Sequence, residues 1–336
     1  MRVLHAPINI AGQANTISRA QRQLGIQSDV LVFDQTVHEF ECDYDLGLNE
    51  KAFPRKFMSQ FQAFLRIALK YDIIHFHFGM SLLPGNLDLY LLKALGKKTL
   101  MHYWGSDIIQ FDLAKKYTLI DEDFLRKKFP PLGDEKRRRR IDWINRMVDI
   151  SIVGDYSLLP FSPNSLVIRQ ALLLSSLPFV GCDIEADEIN IVHAPTNKSV
   201  KGTDLILAAI RKLKEDGFNI KLTLIENMPH HEAIDAYKKA DIVIDDVLQG
   251  PYGIFAMECM ALGKPVLCRI DPHFADRYEN LPIVNTPPDR IFENLRELIE
   301  RPGLRKDLGK RGRIYIEKNH DARMIAQQLI DLYKLL

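Results

Sequence analysis

The chain has 336 residues, 46% of them hydrophobic and 26% charged, a composition that excludes a disordered tail, a collagen-like fibre and a disulfide mini-protein. With 45 Lys and Arg against 44 Asp and Glu the formal charge is +1, so no global field draws the molecule toward nucleic acid or an acidic surface, and any attraction must come from a local patch. At roughly 150 residues per domain the length suggests about two domains, each able to bury its own core.

The N-terminal MRVLHAPINIAGQ holds a short apolar run before polar residues, which predicts a first strand and lacks the long apolar segment and cleavage site of a signal peptide. Strands are then expected at SDVLVF, DIIHFHF, KTLMHY and DISIVG in the first half, and at INIVHA, IKLTLIE, DIVIDDV, PVLCRI and LPIVN in the second. Helical candidates lie between them, among them NTISRAQRQLG, PGNLDLYLLKALG, TDLILAAIRKLKEDG and HEAIDAYKKA, several closed by the glycine expected just past a helix end. Such alternation predicts parallel α/β architecture, present twice. Periodicity is lost near residues 165–188 and restarts at INIVHA. The expected division is therefore an N-terminal Rossmann-like domain over 1–168, a linker over 169–188, a second over 189–318, and a final amphipathic helix over 319–336. The last carries Ile325, Leu329, Leu332 and Leu336 near helical spacing, a stripe that must pack on something.

Cys42, Cys182, Cys259 and Cys268 show no close pairing and no C-x-x-C, so reduced, mostly buried thiols are expected rather than disulfides or zinc. No apolar stretch approaches the roughly 18 residues of a membrane span. The expected location is cytoplasmic, including peripheral attachment to the inner face of a membrane.

In open parallel sheets the ligand crevice lies at the carboxyl ends of the strands. The polar, glycine-bearing segments fall there: PINIAGQ, FGMSLLPG, HYWGSD and GDYS, then APTNKSVKG, ENMPHH and QGPYG. In QGPYGIFAMECMALGKPV, Gly250 and Gly253 permit close backbone approach and unusual dihedrals, and IFAMECMAL starts a helix whose free N–H groups can hold an anion. Glu258, about one turn in, is a carboxylate able to accept two ribose hydroxyls; a surface glutamate is the plain alternative. In APTNKSVKGTDL, Lys198 and Lys201 can balance a phosphate pair beside Gly202, against the default of solvated lysines. Neither half shows G-x-G-x-x-G after its first strand, nor a Walker A loop.

The run KG-T-D, then DIVID, then G-x-Y-G-x-x-x-x-E-x-M-A-x-G-K-P-V resembles the second domain of GT-B glycosyltransferases of family 4, retaining enzymes that use nucleotide-diphosphate sugars. DIIHFHFG, TLMHYWGSD and DWINRMVDISIVGDYS are similar to that family's acceptor domain, and the terminal helix to the one that crosses back onto it. The resemblance implies two Rossmann-like domains facing a cleft. It makes Lys201 a contact of the donor diphosphate and Glu258 the second glutamate of the family's E-x7-E motif, on the ribose. Gly253, Ile254 and Phe255 match the turn that meets sugar and phosphate, and Gly12 the first-loop glycine near the diphosphate. His102 is similar to the histidine that approaches the donor sugar. Catalysis is thus expected of His102, Lys201 and Glu258, with Trp104, Asp107 and Ser157 on the acceptor side. The family's arginine before the K-G pair has no counterpart, with Lys198 its substitute. Gly250 occupies the first position of E-x7-E, so the carboxylate that grips the sugar ring is missing there, and Gln249, Asp246 and Asp245 are the candidates to replace it, among which the sequence leaves the choice open.

His75 and His77 share a strand face and could ligate a metal, but hydrogen-bonded strand-end histidines are the plainer reading, and no metal or cofactor is expected. Asp121, Glu122 and Asp123 match the D-x-D of GT-A enzymes, a fold the two-domain layout disfavours. Residues 126–140, RKKFPPLGDEKRRRR, form either a solvated helix face or a footprint for anionic lipid; without interleaved aromatics nucleic acid is not the expected partner. The expected activity is retaining, metal-independent hexosyl transfer from a nucleotide sugar to a glycan or lipid-linked acceptor, in cell-surface polysaccharide or glycoconjugate synthesis. The alternatives are a GT-B epimerase or phosphorylase, or a catalytically silent sugar-nucleotide-binding protein.

Overall fold

A computed structural model of the protein describes residues 1–35, 40–183 and 185–336. The first half contains β1 (Arg2–Ala6), α1 (Gln13–Gln23), β2 (Gln27–Val32), β3 (Tyr44–Asp45), α2 (Phe53–Lys70), β4 (Ile73–His77), α3 (Asp88–Ala94), β5 (Lys98–Tyr103), α4 (Phe111–Tyr117), α5 (Glu122–Lys128), α6 (Asp134–Met147), β6 (Ile150–Val153) and β7 (Leu166–Val167). The second contains β8 (Ile189–His193), α7 (Lys198–Lys201), α8 (Thr203–Glu215), β9 (Ile220–Leu224), α9 (His230–Lys238), β10 (Ile242–Ile244), α10 (Ile254–Ala261), β11 (Val266–Cys268), α11 (Pro272–Ala275), β12 (Val284–Asn285), α12 (Ile291–Glu300), α13 (Pro302–Asn319) and α14 (Ala322–Lys334). Each strand expected from an apolar run is present. The two-residue strands β3 and β7 are additions, too short to show a period.

Two compact units result: residues 1–113, 129–173 and 321–336 form the first, and 114–128 and 174–320 the second. They interleave instead of following one another. Leu119 N and Thr118 Oγ1 donate to Leu248 O at 2.7 and 3.1 Å, tying 114–128 into unit 2. The segment expected as linker is docked at its start: Gln13 exchanges two hydrogen bonds with the Ala171 backbone, at 2.8 and 3.1 Å.

Unit 1 holds a parallel sheet in the order β3-β2-β1-β4-β5-β6-β7. Connections run leftward from β1 to β3 and rightward from β3 onward, so right-handed crossovers place α1 on one face and α2 and α3 on the other. Helix α14 joins α1. It begins at Asp321, whose carboxylate accepts from Arg323 N at 2.7 Å, and buries Ile325, Leu329 and Tyr333 against Val3, Ile17 and Ala20. Each fully buried branched side chain contributes about 1.5–3 kcal/mol. Unit 2 holds the order β12-β11-β10-β8-β9, all parallel, with Ile191, Ile206, Ile210, Ile244 and Leu295 in its core.

The α1 side of the first sheet carries a polar layer. His5 and His75 are register partners, as are His77 and His102, and all four rings are buried. The Trp104 indole can only donate, so its 3.1 Å bond to His77 Nδ1 places the His77 proton on Nε2. That proton goes to His5 Nδ1 at 3.0 Å, and His5 Nε2 then donates to Gln21 Oε1 at 3.0 Å. Gln21 Nε2 donates to Tyr333 O–H at 3.3 Å, which in turn donates to His75 Nδ1 at 2.6 Å. One directed chain therefore fixes the tautomers of His5, His75 and His77 and ties Trp104, just past β5, to β4, β1, α1 and α14.

Candidate functional site

In unit 2 the order of connections reverses between β8 and β10, which are neighbours; the crevice beyond the carboxyl ends at such a switch point is where α/β sheets bind ligands. Lys201 follows β8 and Asp245 follows β10, and they meet there: Lys201 Nζ lies 2.7 Å from Asp245 Oδ1 and 3.6 Å from Asp246 Oδ2. Burial works against the ammonium charge, yet the two carboxylates outweigh it and raise the lysine's pKa. Lys201 is therefore not a solvated surface lysine. Gly202 behind it has φ 75°, and a Cβ would overlap Val247.

The structure separates the three candidates for the missing glutamate. Asp246 is occupied in its own turn, accepting from Leu248 N at 2.9 Å and Gln249 N at 2.8 Å, with the Gln249 amide on its other oxygen. Burial raises its pKa despite Lys201. Asp245 keeps Oδ2 buried and without a hydrogen-bond partner among the described residues, 3.9 Å from where a Gly253 Cβ would stand. An orphaned buried oxygen is costly unless a ligand or water meets it.

Gly250 has φ 127°, and a Cβ there would come within 2.8 Å of Arg269 Nη1 and Asp271 Cβ and 3.2 Å of Tyr117 O. Gly253 corrects an expectation. Its φ of −107° and ψ of −174° are ordinary extended values, so what it provides is the space beside Asp245, not an unusual dihedral. It precedes α10, whose first-turn N–H groups, beginning at Ile254 and Phe255, have no intrahelical acceptor. Phe255 packs on Tyr237, ring centroids 4.9 Å apart.

Glu258 is buried and meets His230 Nε2 through Oε1 at 2.7 Å. This bond raises the His230 pKa against the opposing effect of burial. His230, at the start of α9, is a site residue that the sequence showed only as part of the ENMPHH strand-end loop. Lys198 points elsewhere, pairing with Glu226 at 3.0 Å on the surface.

The remaining expected residues belong to unit 1. His102 is fully buried, its ring 3.9 Å from that of Trp104, and burial holds its pKa well below the ordinary value. Trp104, His75 and His77 stack on it, so no face of the ring is open to a substrate in this arrangement. Asp107 closes the loop after β5 by accepting from Gly105 N at 2.8 Å and Trp104 N at 3.2 Å, and burial raises its pKa to about 6. Ser157 opens a turn through its N–H to Asp155 Oδ1 at 2.9 Å. Gly12 has φ 72° and backs onto Phe40.

His75 and His77 are hydrogen-bonded histidines at the end of β4, as expected, and both are buried. A nitrogen from each of His5, His75 and His77 lies within 4.8 Å of the others. The His75 and His77 rings are parallel to within 4° at 4.7 Å, and parallel planes cannot direct two in-plane lone pairs at one ion. Asp121 accepts from Phe124 N at 2.9 Å as a helix cap, and Glu122 pairs with Arg126. Arginines 137, 138 and 139 pair with Asp134, Asp112 and Glu135, so much of the positive charge of 126–140 is compensated locally.

Two parallel Rossmann-like units define the GT-B fold, and solved structures agree. Sucrose-phosphate synthase from Thermosynechococcus elongatus is similar with a TM-score of 0.71 at 17% identity, covering 99% of this chain and 98% of that one. Anabaena Alr3699/HepE in complex with UDP gives 0.66 at 12% identity over 100% of both chains. UDP-GlcNAc 2-epimerase from Neisseria meningitidis bound to UDP-GlcNAc gives 0.55 at 15% identity, again over 100% of both. No protein-family model matches the sequence, and no curated protein does.

Proposed function

We propose that the protein is a retaining glycosyltransferase that binds a nucleotide-diphosphate sugar in unit 2 and transfers its sugar to a glycan or lipid-linked acceptor. The carrying observation is the meeting of Lys201, Asp245 and Gly253 at the carboxyl ends of β8 and β10, with Glu258 buried in the helix that Gly253 precedes. In this reading Glu258 accepts the ribose hydroxyls, with His230 holding its carboxylate in place. Asp245 Oδ2 takes the sugar hydroxyl that the Gly250 position cannot. The first-turn N–H groups of α10 meet the diphosphate, stabilising the charge that develops as it leaves, without a metal. Lys201 shares its charge with two carboxylates, so it orients Asp245 as much as it attracts phosphate. Trp104, Asp107 and Ser157 belong to the acceptor side, and His102 supports Trp104 from beneath.

Similar structures that bind UDP or UDP-GlcNAc favour a sugar nucleotide over other diphosphates. The epimerase likeness also sustains a second reading, conversion of the sugar nucleotide without an acceptor. The test is incubation with a panel of sugar nucleotides, with and without extracted glycolipid. Acceptor-dependent nucleotide release with retained anomeric configuration is expected; release or isomerisation without acceptor indicates the second reading, and no turnover of any donor removes both.

A further inference from the structure

Helix α2 carries Phe53, Phe57, Phe61, Leu65 and Leu69 at intervals of four, with Met58 beside them. All are exposed, Phe53 by 77%, Met58 by 53%, Leu65 by 48% and Leu69 by 85%. Other residues hold the helix to its sheet: Gln60, Ala63, Phe64 and Ile67 are buried. A four-residue interval advances about 40° per step around a helix of 3.6 residues per turn, so the stripe slants away from the core and reaches the outermost face at Leu65 and Leu69. Arg55, Arg66 and Lys70 occupy the opposite flank, and α2 contains no acidic residue. Among the described residues only Lys70 of these three pairs with an acid, Asp29 at 3.1 Å.

Scattered exposed apolar residues are ordinary, but an unbroken stripe edged by cations on one helix is not. We propose that α2 is a docking surface for an anionic lipid bilayer, lying in the interface with Phe57, Phe61, Leu65 and Leu69 toward the acyl chains and Arg55 and Arg66 on headgroup phosphates. Charge decides the occupant: a negatively charged, apolar-cored layer satisfies both flanks, whereas the apolar face of a second copy would bring two sets of like charges together. The helix lies on the bilayer and does not cross it, since no helix among the described residues is long and apolar enough to span one. On the same sheet face, α3 and its flanks expose Leu87, Leu91 and Leu95, which widen the surface. This assignment differs from the basic run 126–140, whose arginines are largely paired, and does not depend on the donor-site reading.

The test is flotation of the full chain with vesicles of phosphatidylcholine alone or mixed with phosphatidylglycerol, at low and high salt. Binding to the mixed vesicles only, weakened by salt, is expected. Leu65→Ser with Leu69→Ser should reduce that binding at least ten-fold, and Arg55→Gln with Arg66→Gln about five-fold per charge removed. Lys127→Gln with Lys136→Gln should leave it unchanged. The substituted side chains are exposed, so unfolding midpoints should stay at the wild-type value. Equal binding to both vesicle types overturns the proposal, as does binding lost only in the Lys127 and Lys136 variant. So does a wild-type dimer, seen by light scattering, that the serine pair dissociates without vesicle binding by either form.

Discussion

The Lys201 ammonium bridges Asp245 and Asp246, at 2.7 and 3.6 Å, across the switch point between β8 and β10. One cation thus serves two buried carboxylates. Lys201→Met leaves both uncompensated and should destabilise unit 2 by about 3–5 kcal/mol. Adding Asp245→Asn should recover part of the loss, a coupling that urea denaturation of the single and double variants measures.

Restoring a glutamate at position 250 should not create a better enzyme. The φ of 127° and the 2.8 Å approach to Arg269 and Asp271 leave no room for a Cβ, whatever the longer side chain could reach. Gly250→Glu should cost about 2 kcal/mol or more and lower turnover. A variant with wild-type melting temperature and several-fold higher transfer contradicts this account of the loop.

His230 should titrate above its ordinary pKa of about 6.5 because Glu258 holds its proton. The stability this pair adds is fully present below the unfolded pKa and is lost as pH rises through the raised folded value. Proton-detected titration of His230 should show the elevation in the wild type and its disappearance in Glu258→Gln. An unshifted His230 in the wild type separates the two residues.

The buried imidazole layer of unit 1 predicts the opposite acid behaviour. Burial lowers His5 to about 4 and takes His75, His77 and His102 well below the ordinary value. The unfolded chain therefore binds more protons, and stability falls as pH drops below about 6.5. Asp107, raised to about 6, and Asp88, Asp246 and His230, raised as well, oppose this by losing stability as pH rises from their unfolded values, while His193, lowered by burial, acts with the four imidazoles of unit 1. Chemical unfolding at pH 7, 6 and 5 should show a steep loss, reduced in His77→Phe. A flat profile contradicts the neutral layer.

The sheets and the polar loops at their carboxyl ends were legible in the sequence because β-branched runs such as INIVHA and DIVIDDV end in polar and glycine residues. Gly202 and Gly250 were legible because only glycine fits their backbone. What was hidden depends on pairing between distant segments. Nothing local says that Lys201 meets Asp245 44 positions away, that Glu258 finds His230, or that Leu248 draws 114–128 into unit 2. The hydrogen bonds of the β4 histidines were expected, but their partners His5, Trp104 and Tyr333 lie far away in sequence and could not be named. The stripe of α2 was readable as letters, but its exposure was not, since a four-residue interval also occurs on helices that bury it.

The donor site in unit 2 is tested most directly by calorimetric titration of the full chain with UDP, with GDP and ADP alongside to identify the base. Gly253→Ala keeps an allowed backbone and places a methyl beside Asp245 Oδ2, and Glu258→Ala removes the carboxylate assigned to the ribose. The account predicts one bound nucleoside diphosphate per chain, bound with at least ten-fold lower affinity by Glu258→Ala, the equivalent of about 1.4 kcal/mol. Gly253→Ala should weaken binding of the matching sugar nucleotide more than that of the diphosphate alone. Unchanged affinity in both variants at unchanged melting temperature would contradict it.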